Sequence, residues 1–255
     1  MSRLLPEKVK IGLFPGCCWL QRRGVAELVI VRPEGQGAEA LTAAFIALLA
    51  KLPEAGRARI HLHVLVSDSL AAITLLPWQE SLVADDELRA YAQACFEQAG
   101  NTIDASWAMQ YHFRQFRAPG MAYALSHVWL SQLVALSETA GMHLKTVLPL
   151  SASAYQRQGG ARTEKQSVLL LVEQERLTAL ICVNGMLINR DVQPVMGKLD
   201  AAGVRLLMRV TANQRNVQAV YYCDPSYSEA VSPQAFVAAC LPQSSITPVI
   251  ALDWI

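Results

Sequence analysis

Apolar and polar positions alternate from Ile60 to Val66, where Ile60, Leu62, Val64 and Val66 interleave with His61, His63 and Leu65. Ser67-Asp68-Ser69 then breaks the run, and a second apolar limb continues to Leu76. Period-2 alternation bounded by Ser/Asp turn chemistry predicts a hairpin of two antiparallel strands over Arg59 to Trp78, ended by Pro77, which has no N–H to give a ladder. The same grammar opens the chain. Val9 to Phe14 reads as a strand, Pro15-Gly16 as a tight turn, Cys17 to Gln21 as the return strand and Ala26 to Arg32 as a third strand.

Helical spacing takes over from Ala38 to Leu52, closed by Pro53, and again from Asp85 to Ala99, closed by Gly100. Ile103 to Phe113 alternates around Trp107, Met109 and Tyr111. Pro119-Gly120 introduces a long predicted helix to about Ala140, and His143 to Leu148 is a predicted buried strand before Pro149. A polar seam follows at Ser151 to Gln166, carrying Gly159-Gly160, part of which reads as a short helix. Ser167 to Val172, Leu177 to Val183 and Leu187 to Val192 are three short strands with turns at Gln174-Glu175 and Asn184-Gly185, the latter a strong hairpin signal. A helix from Val195 to Arg209, a strand from Val217 to Cys223, a helix from Pro233 to Cys240 and a strand from Thr247 to Leu252 complete the chain.

Each half thus opens with three antiparallel strands and continues with alternating helices and strands, the order of ribonuclease-H-like units. Two such units in tandem make the actin, hexokinase and Hsp70 architecture. The predicted fold class is α/β: two tandem ribonuclease-H-like, actin-like subdomains with mixed sheets, the first over residues 1–149 and the second over 150–255.

With 53% apolar residues in 255, the chain can bury a substantial core without staples. Its 22 basic and 21 acidic residues are well mixed, for a net charge of +1, so it lacks the footprint of a nucleic-acid or anionic-membrane binder. The longest apolar runs, Ala38 to Ala50 and Ala122 to Leu136, carry Glu39, Thr42, Ser126, His127, Ser131 and Gln132 and fall short of the ~20 apolar residues of a membrane span. The first ten residues are too charged for a secretory signal, which predicts a cytoplasmic protein. Cys17, Cys18, Cys95, Cys182, Cys223 and Cys240 show no C-x-x-C spacing and read as buried thiols of a reducing compartment. Cys17 and Cys18, adjacent on a strand, point to opposite faces and are poorly placed for joint ligation.

Several positions could carry chemistry, each with a simpler structural reading beside it. His61 and His63 share a strand face at a spacing that can chelate a metal, but two ligands without a third leave the site incomplete, and the alternation assigns that face outward. Glu34-Gly35-Gln36-Gly37 and Gln158-Gly159-Gly160 could cradle a phosphate, yet lack the full G-x-G-x-x-G and a Lys-Ser/Thr, and read as mobile connectors. Asp85, Asp86 and Glu87 could form an acid/base cluster; at a helix start they complement the macrodipole. Asp68 and Asp191 could hold magnesium as in ribonuclease-H-like nucleases, but Asp68 lies in a turn and Asp191 in the other half. Trp78 and Trp107 read as core residues whose N–H groups need partners.

Val64-Leu65-Val66-Ser67, Ile73-Thr74-Leu75-Leu76-Pro77-Trp78, Asp86-Glu87-Leu88 with Tyr91-Ala92 and Phe96, Trp107 and Leu148-Pro149 together resemble the actin-like cytoplasmic assembly proteins of bacterial type IV pilus and type II secretion machines, the PilM-like and GspL-like group. Val9-Lys10-Ile11-Gly12-Leu13 and Leu187-Ile188-Asn189-Arg190 fit the same frame, so the resemblance spans roughly residues 9 to 225. It implies a non-enzymatic scaffold, peripheral to the inner membrane through its partners, that holds inner-membrane and cytoplasmic assembly subunits and relays to a motor. Nucleotide-binding members of the group carry an Asp-x-Gly type turn in each opening hairpin. The matching positions here are Leu13-Phe14-Pro15-Gly16 and Val172-Glu173-Gln174-Glu175, so both turns depart from that pattern. In the second turn Glu173 and Glu175 are expected to put two negative charges where a triphosphate would lie. On this reading no residue is catalytic, cofactor-binding or metal-binding, no cofactor is expected, and the competing reading is an ATP-binding or ATP-hydrolysing member of the actin and sugar-kinase superfamily.

Overall fold

In a computed structural model, residues 6–22, 25, 28–81, 84–158, 165–213, 216–227 and 232–254 are described. The first half runs β1 (Glu7–Phe14), β2 (Cys17–Arg22), β3 (Val29–Val31), α1 (Gly37–Ala50), β4 (Ile60–Val66), β5 (Ala71–Leu76), α2 (Asp85–Gln98), β6 (Trp107–His112), β7 (Gly120–Ser126), α3 (His127–Thr139) and β8 (His143–Pro149). The second continues with α4 (Leu150–Gln158), β9 (Gln166–Val172), β10 (Arg176–Val183), β11 (Met186–Pro194), α5 (Leu199–Asn213), β12 (Ala219–Cys223), α6 (Ala235–Cys240) and β13 (Ser245–Pro248). Short 3-10 turns cover Arg57–Arg59, Asp68–Leu70 and Ala251–Trp254.

Three sheets result. The first has the order β3-β2-β1-β4-β8 and the second β11-β10-β9-β12-β13. In each, an antiparallel meander is extended by two parallel strands, β4 and β8 in one and β12 and β13 in the other. The fold is therefore the expected α/β pair of mixed sheets. The third sheet, β5-β7-β6, is small, antiparallel and backed by α2, with its own core of Leu76, Phe96, Met109 and Ala124.

Alternation along the second sheet sorts its residues between two cores. Val168, Leu170 and Val172 of β9 pack toward α5 and α6 with Leu206, Val210 and Phe236. Leu169 and Leu171 point the other way, into a cluster they share with Leu13, Trp19, Phe45 and Leu65 of the first half. One hydrophobic core thus runs across both large sheets.

Two predictions are corrected here. Arg59 to Trp78 is not a hairpin: β4 lies in the first sheet, parallel to β1 and β8, whereas β5 pairs with β7 in the third. Ser67 caps the short Asp68–Leu70 turn by accepting a bond from the Ser69 N–H, and that turn leads the chain out of the first sheet. Val64, Leu65 and Val66 are all fully buried, the mark of a strand covered on both faces, as parallel strands are.

The second correction is the long helix after Pro119-Gly120. Gly120–Ser126 is the central strand β7, buried at six successive positions, and the helix starts at His127 behind Ser126, whose hydroxyl accepts from the Trp129 N–H. A continuously apolar stretch carries no period, so strand and helix look alike there. Lesser shifts are a shorter third strand, Val29–Val31, with part of the predicted range outside the described residues, and an α5 that starts four residues late. The last strand sits at Ser245–Pro248, ahead of its predicted place, and β8 is a half-exposed edge strand. Of the polar seam, residues 150–158 form α4, with Ser151, Ala152, Ser153, Ala154 and Tyr155 buried, and residues 159–164 lie outside the described residues.

Candidate functional site

The turns of the first hairpins of the two large sheets, Pro15-Gly16 and Gln174-Glu175, face each other across a cleft. They touch. A methyl group placed on Gly16 would stand 2.6 Å from the Gln174 side-chain oxygen, so that side chain fills the gap between the turns. Pro15 brings no N–H to the first turn. The second is closed on itself, since Glu173 and Arg176 exchange backbone bonds of 2.9 and 3.3 Å around its two residues.

Behind the turns lies Asp68, fully buried. Its carboxylate accepts from the Ser151 N–H at 2.9 Å and from the Ser151 hydroxyl, both at the start of α4. Two arginines reach it from the second sheet. Arg176 of β10 donates to the Asp68 backbone carbonyl at 2.8 Å, and Arg190 of β11 approaches the carboxylate at 3.4 Å. Burial pulls the Arg190 pKa down, the carboxylate of Asp68 pulls it back up, and the neighbouring Arg176 guanidinium adds to the lowering. A second tie crosses nearby: the Trp19 indole N–H donates to the Pro225 carbonyl at 2.8 Å. Trp19 lies over Gly12, its partner on β1, where even a methyl group would come within 2.2 Å of the indole.

Glu173, expected to face the phosphate site, is buried. It is 3% exposed, and among the described residues neither carboxylate oxygen has a hydrogen-bond partner of good geometry. Burial first, and the Asp68 carboxylate second, push its pKa up to about 8, against weaker opposing effects of Ser67, Arg176 and the Asp68 backbone. Glu175 is exposed at the turn, its carbonyl bonded by the Val195 N–H at 2.9 Å.

A cavity of about 540 Å³ opens beside the turns. Gly16, Cys17 and Arg32 line it from the first half, and Glu173, Gly197, Asp224 and Tyr227 from the second. The volume would admit a nucleotide-sized ligand. The lining suits a polyphosphate poorly: among the described residues Arg32 is its one cationic side chain, Asp224 is an acid, and Arg176 and Arg190 are committed to Asp68.

Two five-stranded mixed sheets, each opened by a meander and facing one another across paired hairpin turns, decide the architecture. The fold is the actin-like ATPase fold. No family model and no curated protein matches the sequence. Among solved structures, the chain is similar to an actin-like ATPase fold protein of unknown function from Bacteroides thetaiotaomicron, at 9% identity and a TM-score of 0.62, with 95% of this chain and 91% of that one covered. It is similar to the PilM-PilN type IV pilus biogenesis complex at 10% identity and a TM-score of 0.66, covering 98% and 90%. The cytoplasmic domain of EpsL, an inner membrane component of the type II secretion system of Vibrio cholerae, matches at 12% identity and 0.51, covering 93% of each chain.

The other sequence candidates are scattered. His61 and His63 are half-buried near the far end of β4, His63 Nδ1 lying 3.0 Å from the Thr146 hydroxyl. Asp191 pairs with Arg209 at 2.9 Å, so Asp68 and Asp191 are held by different partners. Asp85, Asp86 and Glu87 form the first turn of α2, where the Ala84 N–H donates to Glu87 and the Tyr111 hydroxyl to Asp85. Glu34 to Gln36 is an exposed loop before α1, which Gly37 opens, and Gly159-Gly160 falls outside the described residues. Trp78 and Trp107 are half-buried rather than core, and the buried Nε1 of Trp78 has no partner. The cluster at the cleft, Asp68 with Ser151, Arg176 and Arg190, escaped sequence reasoning. Its members come from four elements, and the visible signal was an arginine opening the otherwise largely apolar β10 strand.

Proposed function

We propose that this protein is a non-enzymatic scaffold of a type IV pilus or type II secretion machine, binding inner-membrane assembly subunits and linking them to the motor from the cytoplasmic side. The observation that carries the non-enzymatic part is the contact of Gln174 with Gly16. In an actin-like fold these two turns must stand apart and offer N–H groups and an acid to phosphates and magnesium. Here they are in contact, and the arginines behind them are engaged by Asp68. The partner part is supported by likeness in fold to PilM, solved with PilN, and to EpsL, an inner membrane component. Among the described residues no helix is long and apolar enough to cross a membrane, and attachment through partners is part of the same reading.

The division into a first subdomain over 1–149 and a second over 150–255 belongs to this proposal. Its support is that every strand of the first sheet precedes Leu150 and every strand of the second follows it. Affinity capture of the full chain from its own cells, followed by mass spectrometry, tests the partner assignment. Inner-membrane subunits of a pilus or secretion assembly should co-purify; recovery of metabolic enzymes or nucleotide-dependent partners in their place would contradict it.

A further inference from the structure

Away from the cleft, at the opposite end of the first sheet, strand alternation collects basic side chains into two rows. Register sets Lys8 beside His61 and His61 beside His143 in one row, and Lys10 beside His63 in the next. His61 and His143 meet edge to face with ring centres 5.9 Å apart. Lys145 on β8 and Arg157 on α4, both exposed, border the rows, and Asp253 near the C-terminus is the acid that acts on Lys10.

The charges act on one another. Burial and then Lys8, His61, Arg157 and Lys10 bring the His63 pKa down to about 4. Burial, Lys145 and His143 lower that of His61, and burial and Arg157 lower that of Lys8. In a chain whose net charge is +1, this is a local concentration of like charge that an anion would relieve.

We propose that this shelf docks an acidic, extended protein segment lying along β4, whose carboxylates, at alternate positions, meet the two basic rows. Rows two residues apart on a strand are ~6.6 Å apart, the repeat of side chains on one face of an extended peptide. A single phosphate calls for converging donors, and these are spread over two rows. A bilayer would meet the exposed His143, Lys145 and Arg157, but a narrow chain can also reach the half-buried Lys8, His61 and His63. Carboxylates seated beside the histidines raise their pKa values, so binding takes up protons and tightens as pH falls.

The test uses the full chain and a fluorescent peptide of alternating Glu and Thr, followed by anisotropy at low salt and at about pH 8 and pH 6. Binding should strengthen several-fold toward pH 6, weaken with added salt, and fall about tenfold or more in Lys145→Glu, an exposed change that leaves the fold intact. His61→Gln should reduce the pH dependence while retaining binding at about pH 8. The proposal is overturned if the acidic peptide binds no better than one of alternating Gln and Thr, if Lys145→Glu binds it unchanged, or if vesicles of anionic lipid bind at this face and the peptide does not displace them.

Discussion

Arg190 and Asp68, 122 residues apart in the chain, meet at 3.4 Å with side chains 12% and 0% exposed, so that a guanidinium from the second sheet closes on a carboxylate from the first. Such a pair, with the Ser151 N–H and hydroxyl donating to the same carboxylate, is worth little as net attraction but is costly to break, because the partner left behind is a buried charge. Asp68→Ala should therefore destabilise the protein by about 3–5 kcal/mol, read as a fall in the urea midpoint. Asp68→Ala combined with Arg190→Met should recover at least ~1 kcal/mol of this, since the stranded cation is gone. Additive losses in the double variant would show that the two groups do not depend on each other.

Glu173 makes stability depend on pH in an unusual direction for an acid. Its unfolded-state pKa is near 4.5, and in the folded protein it is pushed up to about 8. The stabilisation is complete below the unfolded value and is lost as pH rises toward the folded one, because the unfolded chain releases the proton first. At ~1.4 kcal/mol per pKa unit, the effect between about pH 5 and 8 should exceed ~1 kcal/mol. Glu173→Gln should remove that slope and be the more stable protein at about pH 8.5. An unchanged slope in thermal melts across this range would mean that Glu173 is ionised in the fold.

Gly12 is held to glycine by Trp19 rather than by backbone conformation. Gly12→Ala sets a methyl group 2.2 Å from an indole that is fully buried and bonded to Pro225, so neither can move aside cheaply. Overpacking of this kind costs about 1–3 kcal/mol. Trp19→Phe should cost at least ~1 kcal/mol through the unpaired Pro225 carbonyl. Chemical denaturation of both variants checks the tie between the halves, and losses below ~0.5 kcal/mol would show that it contributes nothing.

The architecture was legible in the sequence because each half opens with short apolar runs of strand length, set apart by turns at Pro15-Gly16, Gln174-Glu175 and Asn184-Gly185. Legibility failed where burial is complete. Gly120 to Ser126 and Val64 to Val66 are apolar on every side, and only the neighbouring strands decide what they are. The third sheet was hidden for that reason, its central strand being read as helix. At the cleft, the departure of both turns from an acid-glycine pattern was visible residue by residue. The contact of Gln174 with Gly16, the burial of Glu173 and the meeting of Arg176 and Arg190 on Asp68 depend on residues brought together from distant elements, and no local pattern announces them.

The central claim is that the cleft between the hairpin turns no longer serves a nucleotide. Thermal melting of the full chain with and without excess Mg-ATP, paired with phosphate release, tests it most directly. A ligand at 100 times its Kd adds about 2.7 kcal/mol to stability, an effect that melting detects readily. The account predicts no shift and no turnover, in the protein as it stands and in Glu173→Gln alike; a nucleotide-dependent rise in melting temperature together with turnover that Glu173→Gln abolishes would contradict it.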